Sequence, residues 1–113
     1  MNYTLDATNQ RLGRLASKAA TLLQGKHSTS YAPSRAGADR VKVTNAGRLT
    51  VGGAKSVQKI YYHHTGYMGH LRSRTFAQQF ERSPEKVIRE AVRKMLPANR
   101  LRRNRLARLK IEN

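Results

Sequence analysis

Apolar residues recur at helical spacing between Arg11 and Gln24: Leu12, Leu15, Ala16, Ala19, Leu22 and Leu23 share one face, while Arg11, Arg14, Ser17, Lys18 and Thr21 fall elsewhere. This predicts a helix over 11–24, with Asn9 placed to cap its start and Gly25 placed where a left-handed C-cap belongs. Gly13 lies within its first turns at a cost of about 1 kcal/mol relative to alanine. Close packing is the commoner reason for such a glycine, and close approach of a ligand is the other. A second helical stripe, Val87, Ile88, Ala91, Val92, Met95 and Leu96, follows Ser83-Pro84-Glu85, which supplies an N-cap, an N1 proline and a first-turn acid in order. Pro97 ends or redirects that helix. Strand-like alternation is read at Tyr3 to Ala7 and at Arg40-Val41-Lys42-Val43-Thr44, and extended structure resumes at Leu49-Thr50-Val51 before a turn at Gly52-Gly53. A further strand is expected from Val57 to Tyr62. The segment Asn99 to Lys110 is predicted as a basic helix, marginally stable alone because Arg100, Arg102, Arg103, Arg105, Arg108 and Lys110 repel one another. Together these elements fit α/β better than all-α or all-β.

The chain has 113 residues, enough for one domain spanning 1–113 with one modest core. The second apolar stripe is expected to fill that core rather than bind a partner. Because the hydrophobic fraction, 38%, is below the usual globular value of about 45 to 50%, some segments are expected to become ordered only when bound. Lys and Arg total 23 against 6 Asp and Glu, a formal net charge of +17. A small domain carrying that field is suited to a polyanion, of which nucleic acid is the commonest. Arginine dominates the cations, which favours forked and stackable contacts over diffuse neutralisation. The absence of cysteine excludes disulfides and thiolate metal sites. Neither a signal-like apolar run nor a membrane-length apolar stretch is present, so the cytosol is the expected compartment.

The densest candidate chemistry lies in Tyr61-Tyr62-His63-His64-Thr65-Gly66-Tyr67-Met68-Gly69-His70-Leu71-Arg72-Ser73-Arg74, which has no carboxylate. Rings that stack on unpaired bases, arginines that take phosphates and glycines that admit close backbone approach suit RNA. The loop from Lys26 to Ala38 is a second candidate element. RNA contacts are expected from Arg11, Arg14, Lys26, His27, Arg35, Tyr61, His63, His64, Tyr67, Arg72, Arg74, Arg100, Arg102, Arg103, Arg105 and Arg108. Other chemistries fare worse. The stretch Gly47 to Ser56 echoes a phosphate-binding loop, but Ala54 separates Gly53 from Lys55-Ser56 and the following residues read as strand. His63, His64 and His70 have no nearby Asp, Glu or Cys to complete a metal shell. His64 and His70 could serve a ribonuclease as base and acid, a possibility composition leaves open, although histidines facing RNA are more often contacts than catalysts. The tail's apolar residues are too sparse for a membrane-surface helix.

At Tyr61 to Tyr67 and Leu71-Arg72-Ser73-Arg74-Thr75 the chain resembles the bacterial large-subunit ribosomal protein L-thirteen family. The resemblance continues through Asp6-Ala7, Leu12-Gly13-Arg14-Leu15-Ala16-Ser17, Leu23-Gln24-Gly25-Lys26-His27, Asp39 with Val41-Lys42-Val43-Thr44-Asn45-Ala46, and Met95-Leu96-Pro97-Ala98-Asn99-Arg100-Leu101. Such blocks are weak singly and specific in order. The resemblance implies a three-layer α/β/α fold around a small, mainly parallel sheet. It also implies a structural place on large-subunit ribosomal RNA beside neighbouring ribosomal proteins, and a role early in subunit assembly. Catalysis, cofactor, small-molecule substrate and membrane are not implied. The chain departs from the family's usual pattern at Ala38, Thr65, Met68 and His70, and it stops at Asn113 without the further tail many relatives carry.

Overall fold

A computed structural model describes residues 2–50, 58–64, 66, 68–69 and 71–113, with the backbone alone described at His63 and His64. The expected turn at Gly52-Gly53, Val51, Val57 and the contact residue Tyr67 lie outside the described residues. Three parallel strands, β1 (Asn2–Asp6), β2 (Arg40–Thr44) and β5 (Leu109–Ile111), form a sheet with β2 in the middle. Strands β3 (Ile60–His64) and β4 (Leu71–Thr75) form a separate antiparallel hairpin. The helices are α1 (Leu12–Gln24), α2 (Phe76–Arg82), α3 (Pro84–Met95) and α4 (Leu101–Ala107). The α/β class and the parallel sheet are as the sequence predicts.

Strand register explains the layering. Val41 pairs with Tyr3 and Leu109, and Val43 pairs with Leu5 and Ile111, so the apolar members of all three strands face one way. Helices α1 and α3 pack on each other over that face, and Leu15, Leu23, Val41, Val43, Val87, Ile88 and Val92 are all buried to 1% or less exposure. Burial of each such side chain stabilises by about 1.5 to 3 kcal/mol. The α3 stripe is therefore core, as expected, except for Met95, which is exposed. On the other face Thr4, Lys42 and Lys110 stand in register, all at least partly exposed.

Several boundaries differ from expectation for identifiable reasons. Helix α1 is not capped by Asn9, which turns the chain at φ 57; Arg11 is the N-cap, in extended conformation. The amide of Leu12 instead donates to the Thr50 carbonyl at 3.2 Å, so a neighbouring backbone replaces the side-chain cap. Gly25 does close the helix at φ 78, with its N–H bonded to the Leu22 carbonyl. Gly13 is exposed, and a Cβ there would meet nothing within 4 Å, so packing does not require it. Helix α2 was not foreseen, although Thr75 and Gln78 form a reciprocal capping box, the S/T-x-x-E/Q pattern. The expected basic helix to Lys110 stops at Ala107. Leu109 and Ile111 alternate about Lys110 and complete the sheet, so the tail is part of the core rather than an appendage awaiting RNA.

The end of β1 is fixed by Asp6. Its Oδ1 accepts from the Thr8 amide at 2.9 Å, the Thr8 hydroxyl at 2.7 Å and Asn45 Nδ2 at 3.0 Å. Led by the Asn45 bond, these donors lower its pKa to about 2. A depressed folded-state pKa adds stability above the ordinary aspartate value, and that stability is lost as pH falls toward the folded value. Carboxylate NMR titration should therefore place Asp6 near the bottom of the acid range. Between about pH 4 and 2, acid unfolding of Asp6→Asn should be less steep than that of the wild type. An ordinary aspartate titration at Asp6 would contradict this.

Candidate nucleic-acid interface

The β3–β4 hairpin pairs Tyr61 with Arg74, Tyr62 with Ser73 and His63 with Arg72. Alternation places Tyr61, Arg72 and Arg74 on one face and Tyr62 on the other. Gly66 and Gly69 occupy positive φ, 88° and 76°, in the connection. Beneath the hairpin Phe76 is buried, stacked on Phe80 at 5.6 Å and 6.5 Å from Tyr61 between ring centroids. Tyr61 is thus a packing anchor as well as a candidate contact. Burial first, then the charge of Glu90, raises its phenol pKa. The ammonium groups of Lys59 and Lys94 lie 5.4 and 6.0 Å from its ring centroid. The adjacent Tyr62 remains 65% exposed. Tyr62 is not among the contacts expected from the sequence, and the ring contact with Phe76 shows that Tyr61 is the tyrosine held in place.

Between the hairpin and helices α2 and α3 lies a cleft of about 350 Å³ lined by Tyr61, Tyr62, Arg72, Arg74, Gln79 and Lys86. It continues into a second of about 450 Å³, which shares Tyr61, Tyr62, Gln79 and Lys86 and runs along α3 past Glu90 and Arg93 to Leu106. Glu90 is the acid lining these clefts, and it is engaged by Arg93, whose Nε donates to Oε2 at 3.0 Å. That bond leads the causes holding the Glu90 carboxyl below its ordinary pKa. Arg89 is also committed, donating to the carbonyls of Leu106 at 3.3 Å and Leu109 at 3.5 Å. By contrast, among the described residues the side chains of Arg72, Arg74, Gln79 and Lys86 have no hydrogen-bond or ion-pair partner. For Gln79 this refers to its own amide; Gln78 makes the capping bond. Lys86 and Gln79 were absent from the expected contacts. Lys86 belongs to the helix whose apolar stripe dominates the pattern, Gln79 belongs to the unforeseen α2, and only the hairpin's approach brings them beside Arg72 and Arg74.

The remaining expected contacts divide by their surroundings. Arg11, Arg14, Lys26, Arg35, Arg100 and Arg103 are exposed, and Arg102 is half-buried and near enough to Glu90 to lower its pKa. His27 is tied into the fold: its Nε2 lies 2.9 Å from the Tyr3 hydroxyl and 3.0 Å from Asp39 Oδ2. Arg105 and Arg108 do not belong to an RNA-facing set. Arg105 is 1% exposed and donates to the Arg35 carbonyl at 3.0 Å, with its Nε unpartnered. Arg108 donates to the carbonyls of Asp39 at 2.8 Å, Leu23 at 3.1 Å and Ala36. Desolvation first, then Arg105, lowers its pKa. Both guanidiniums point inward because the chain between α1 and β2 presents backbone carbonyls there. Among the described residues no cluster of three His, Cys, Asp or Glu could hold a metal, and no helix is long and apolar enough to cross a membrane.

These features define a small, strongly basic α/β protein whose exposed chemistry is cationic and aromatic. A sequence profile of the family described as Ribosomal protein L13 matches residues 1–111. Large ribosomal subunit protein uL13 of Roseiflexus castenholzii is 50% identical over 109 residues, covering 96% of this chain and 75% of the relative. The proteins of that name from Thioalkalivibrio sulfidiphilus and a Synechococcus strain are 46% and 47% identical, covering 96% of this chain and 77% and 72% of the relatives. The chain belongs to the ribosomal protein L13 family. It is accordingly a structural constituent of the large ribosomal subunit, cytoplasmic in bacteria, and not an enzyme.

Proposed function

We propose that the chain acts as a single domain that binds large-subunit ribosomal RNA through the hairpin cleft and its flanking cations, and that it joins the subunit early and supports its assembly alongside neighbouring ribosomal proteins. The observation that carries this reading is the division among the arginines. Arg89, Arg93, Arg105 and Arg108 are spent on carbonyls or on Glu90, whereas Arg72, Arg74 and Lys86 converge beside two tyrosines with no internal partner among the described residues. Clustered, unneutralised cations are costly by self-repulsion and favourable once phosphates enter. Gly13 supports the same reading at a second place, since it lies between the exposed Arg11 and Arg14 with open space above it.

Ultraviolet cross-linking of purified large subunits, followed by mass spectrometry, is expected to recover adducts between this chain and large-subunit ribosomal RNA. Pulse-labelled precursors should contain the chain in the earliest particles. Particles in which the chain forms no RNA adduct would overturn the binding reading. Appearance only in completed subunits would overturn the assembly role.

A further inference from the structure

We infer that the polar face of the parallel sheet is a second RNA surface, which takes the sugar–phosphate backbone of a double-stranded segment on Arg40, Lys42 and Lys110. This inference rests on the RNA reading above and adds a surface to it. Strand register brings the three cations together: Thr4, Lys42 and Lys110 pair across β1, β2 and β5, and Asn2 pairs with Arg40 two residues nearer the strand starts. Side chains two apart on a strand share a face. Asn2, Thr4, Arg40, Lys42 and Lys110 therefore stand opposite the apolar residues that meet α1 and α3. Each is at least partly exposed, and all five line one hollow of about 710 Å³. The hairpin cleft draws instead on α3, which packs against the sheet's other side.

The charges on this face are segregated. Its carboxylates, Asp6 and Glu112, stand at or just past the strand ends, and the residues lining the hollow include no acid. Asp6 is held by Thr8 and Asn45. Glu112 reaches back to the lysines: Lys42 Nζ lies 3.1 Å from Oε2 and Lys110 Nζ lies 3.3 Å from Oε1. One carboxylate thus holds two ammonium groups side by side and leaves one positive charge in excess. Arg40 adds another, with no hydrogen-bond or ion-pair partner among the described residues. Parallel sheets generally have both faces covered, and the cations exposed on this one suit a polyanion. Asn2, Thr4, Arg40, Lys42 and Lys110 offer no ring on which an unpaired base could stack. They offer cations for phosphates, and a carboxamide and a hydroxyl that both donate and accept for 2′-hydroxyls, which is what the outside of an RNA duplex presents.

Lysine-directed cross-linking to RNA in assembled large subunits should join Lys42 or Lys110 to a base-paired segment. Combined replacement Arg40→Ala, Lys42→Ala and Lys110→Ala should reduce the loss of affinity for a partly assembled large-subunit particle between 50 and 200 mM salt by about 10-fold, because Glu112 already offsets one of the three charges. Glu112→Gln, which frees both lysines, should act in the opposite sense and steepen that loss by about 3-fold. The side chains replaced are at least partly exposed, so both variants should melt within a few degrees of wild type, which separates lost binding from lost folding. If the triple variant unfolds, the cross-links and Glu112→Gln decide. An unchanged salt response in Glu112→Gln and in a folded triple variant, or adducts of these lysines only with unpaired nucleotides or with protein, would overturn the duplex surface, while RNA adducts from the hairpin leave the general reading intact. Absence of RNA adducts anywhere in the chain would overturn both.

Discussion

Arg108→Ala is expected to lower the stability of the free protein by about 3 to 5 kcal/mol, although the residue reads as a surface cation in the sequence. Its guanidinium bridges three carbonyls: Leu23 in the last turn of α1, and Ala36 and Asp39 in the segment leading to β2. A hydrogen bond to a charged group contributes about 1.5 to 3 kcal/mol net, and some of these carbonyls regain water when the side chain is removed, which sets the total below the simple sum. The C-terminal end of α1 also favours a cation. For a chain of this size the loss corresponds to a fall in melting temperature of more than about 10 °C. Arg108→Lys should recover only part of it, since one ammonium cannot reproduce the planar fork. Arg105→Met should behave differently. It removes a cation with an unpartnered Nε and one carbonyl bond, relieves its repulsion of Arg108 and keeps the volume filled, so stability should stay within about 1 kcal/mol of the wild type. Thermal unfolding of the three variants checks the ranking. Arg108→Ala melting within a few degrees of wild type would show that these carbonyl bonds contribute little.

The contrast between those two arginines shows where the sequence stopped being informative. Long-period patterns were legible: the apolar faces of α1 and α3, Gly25, the Ser83-Pro84 start and the Arg40–Thr44 strand all follow from local rules. A three-residue strand such as Leu109–Ile111 is too short to outweigh the helical pattern before it, and its identity depends on Val41 and Val43 being available as partners. Arginine direction is likewise non-local. Arg105 and Arg108 meet carbonyls some 70 residues away in sequence, at Arg35, Ala36 and Asp39, and nothing within the tail distinguishes them from Arg100 and Arg103. Composition marks the Tyr-His-Gly stretch as a contact element. Its construction as a hairpin whose cleft borrows Gln79 and Lys86 required the fold.

Combined replacement Arg72→Ala, Arg74→Ala and Lys86→Ala is expected to have the largest effect on RNA binding. Each phosphate contact contributes a slope of about 0.7 to 0.9 in the logarithmic dependence of affinity on salt, the lower value applying to single strands. Over the fourfold change from 50 to 200 mM salt, three contacts therefore account for a loss of about 20- to 40-fold. The variant should lack that part of the salt response and bind most weakly relative to wild type at low salt, with the difference narrowing as salt rises. The same reasoning assigns little change to Arg105→Met, whose guanidinium is already enclosed. Binding to a partly assembled large-subunit particle, measured at several salt concentrations, provides the comparison. Because the three side chains have no internal hydrogen-bond or ion-pair partner among the described residues, the variant's melting temperature should not fall, and relief of their mutual repulsion favours a small rise. If the triple variant retains the wild-type salt slope, the phosphates are held elsewhere, and the exposed Arg11, Arg14, Arg100 and Arg103 become the cations to replace next.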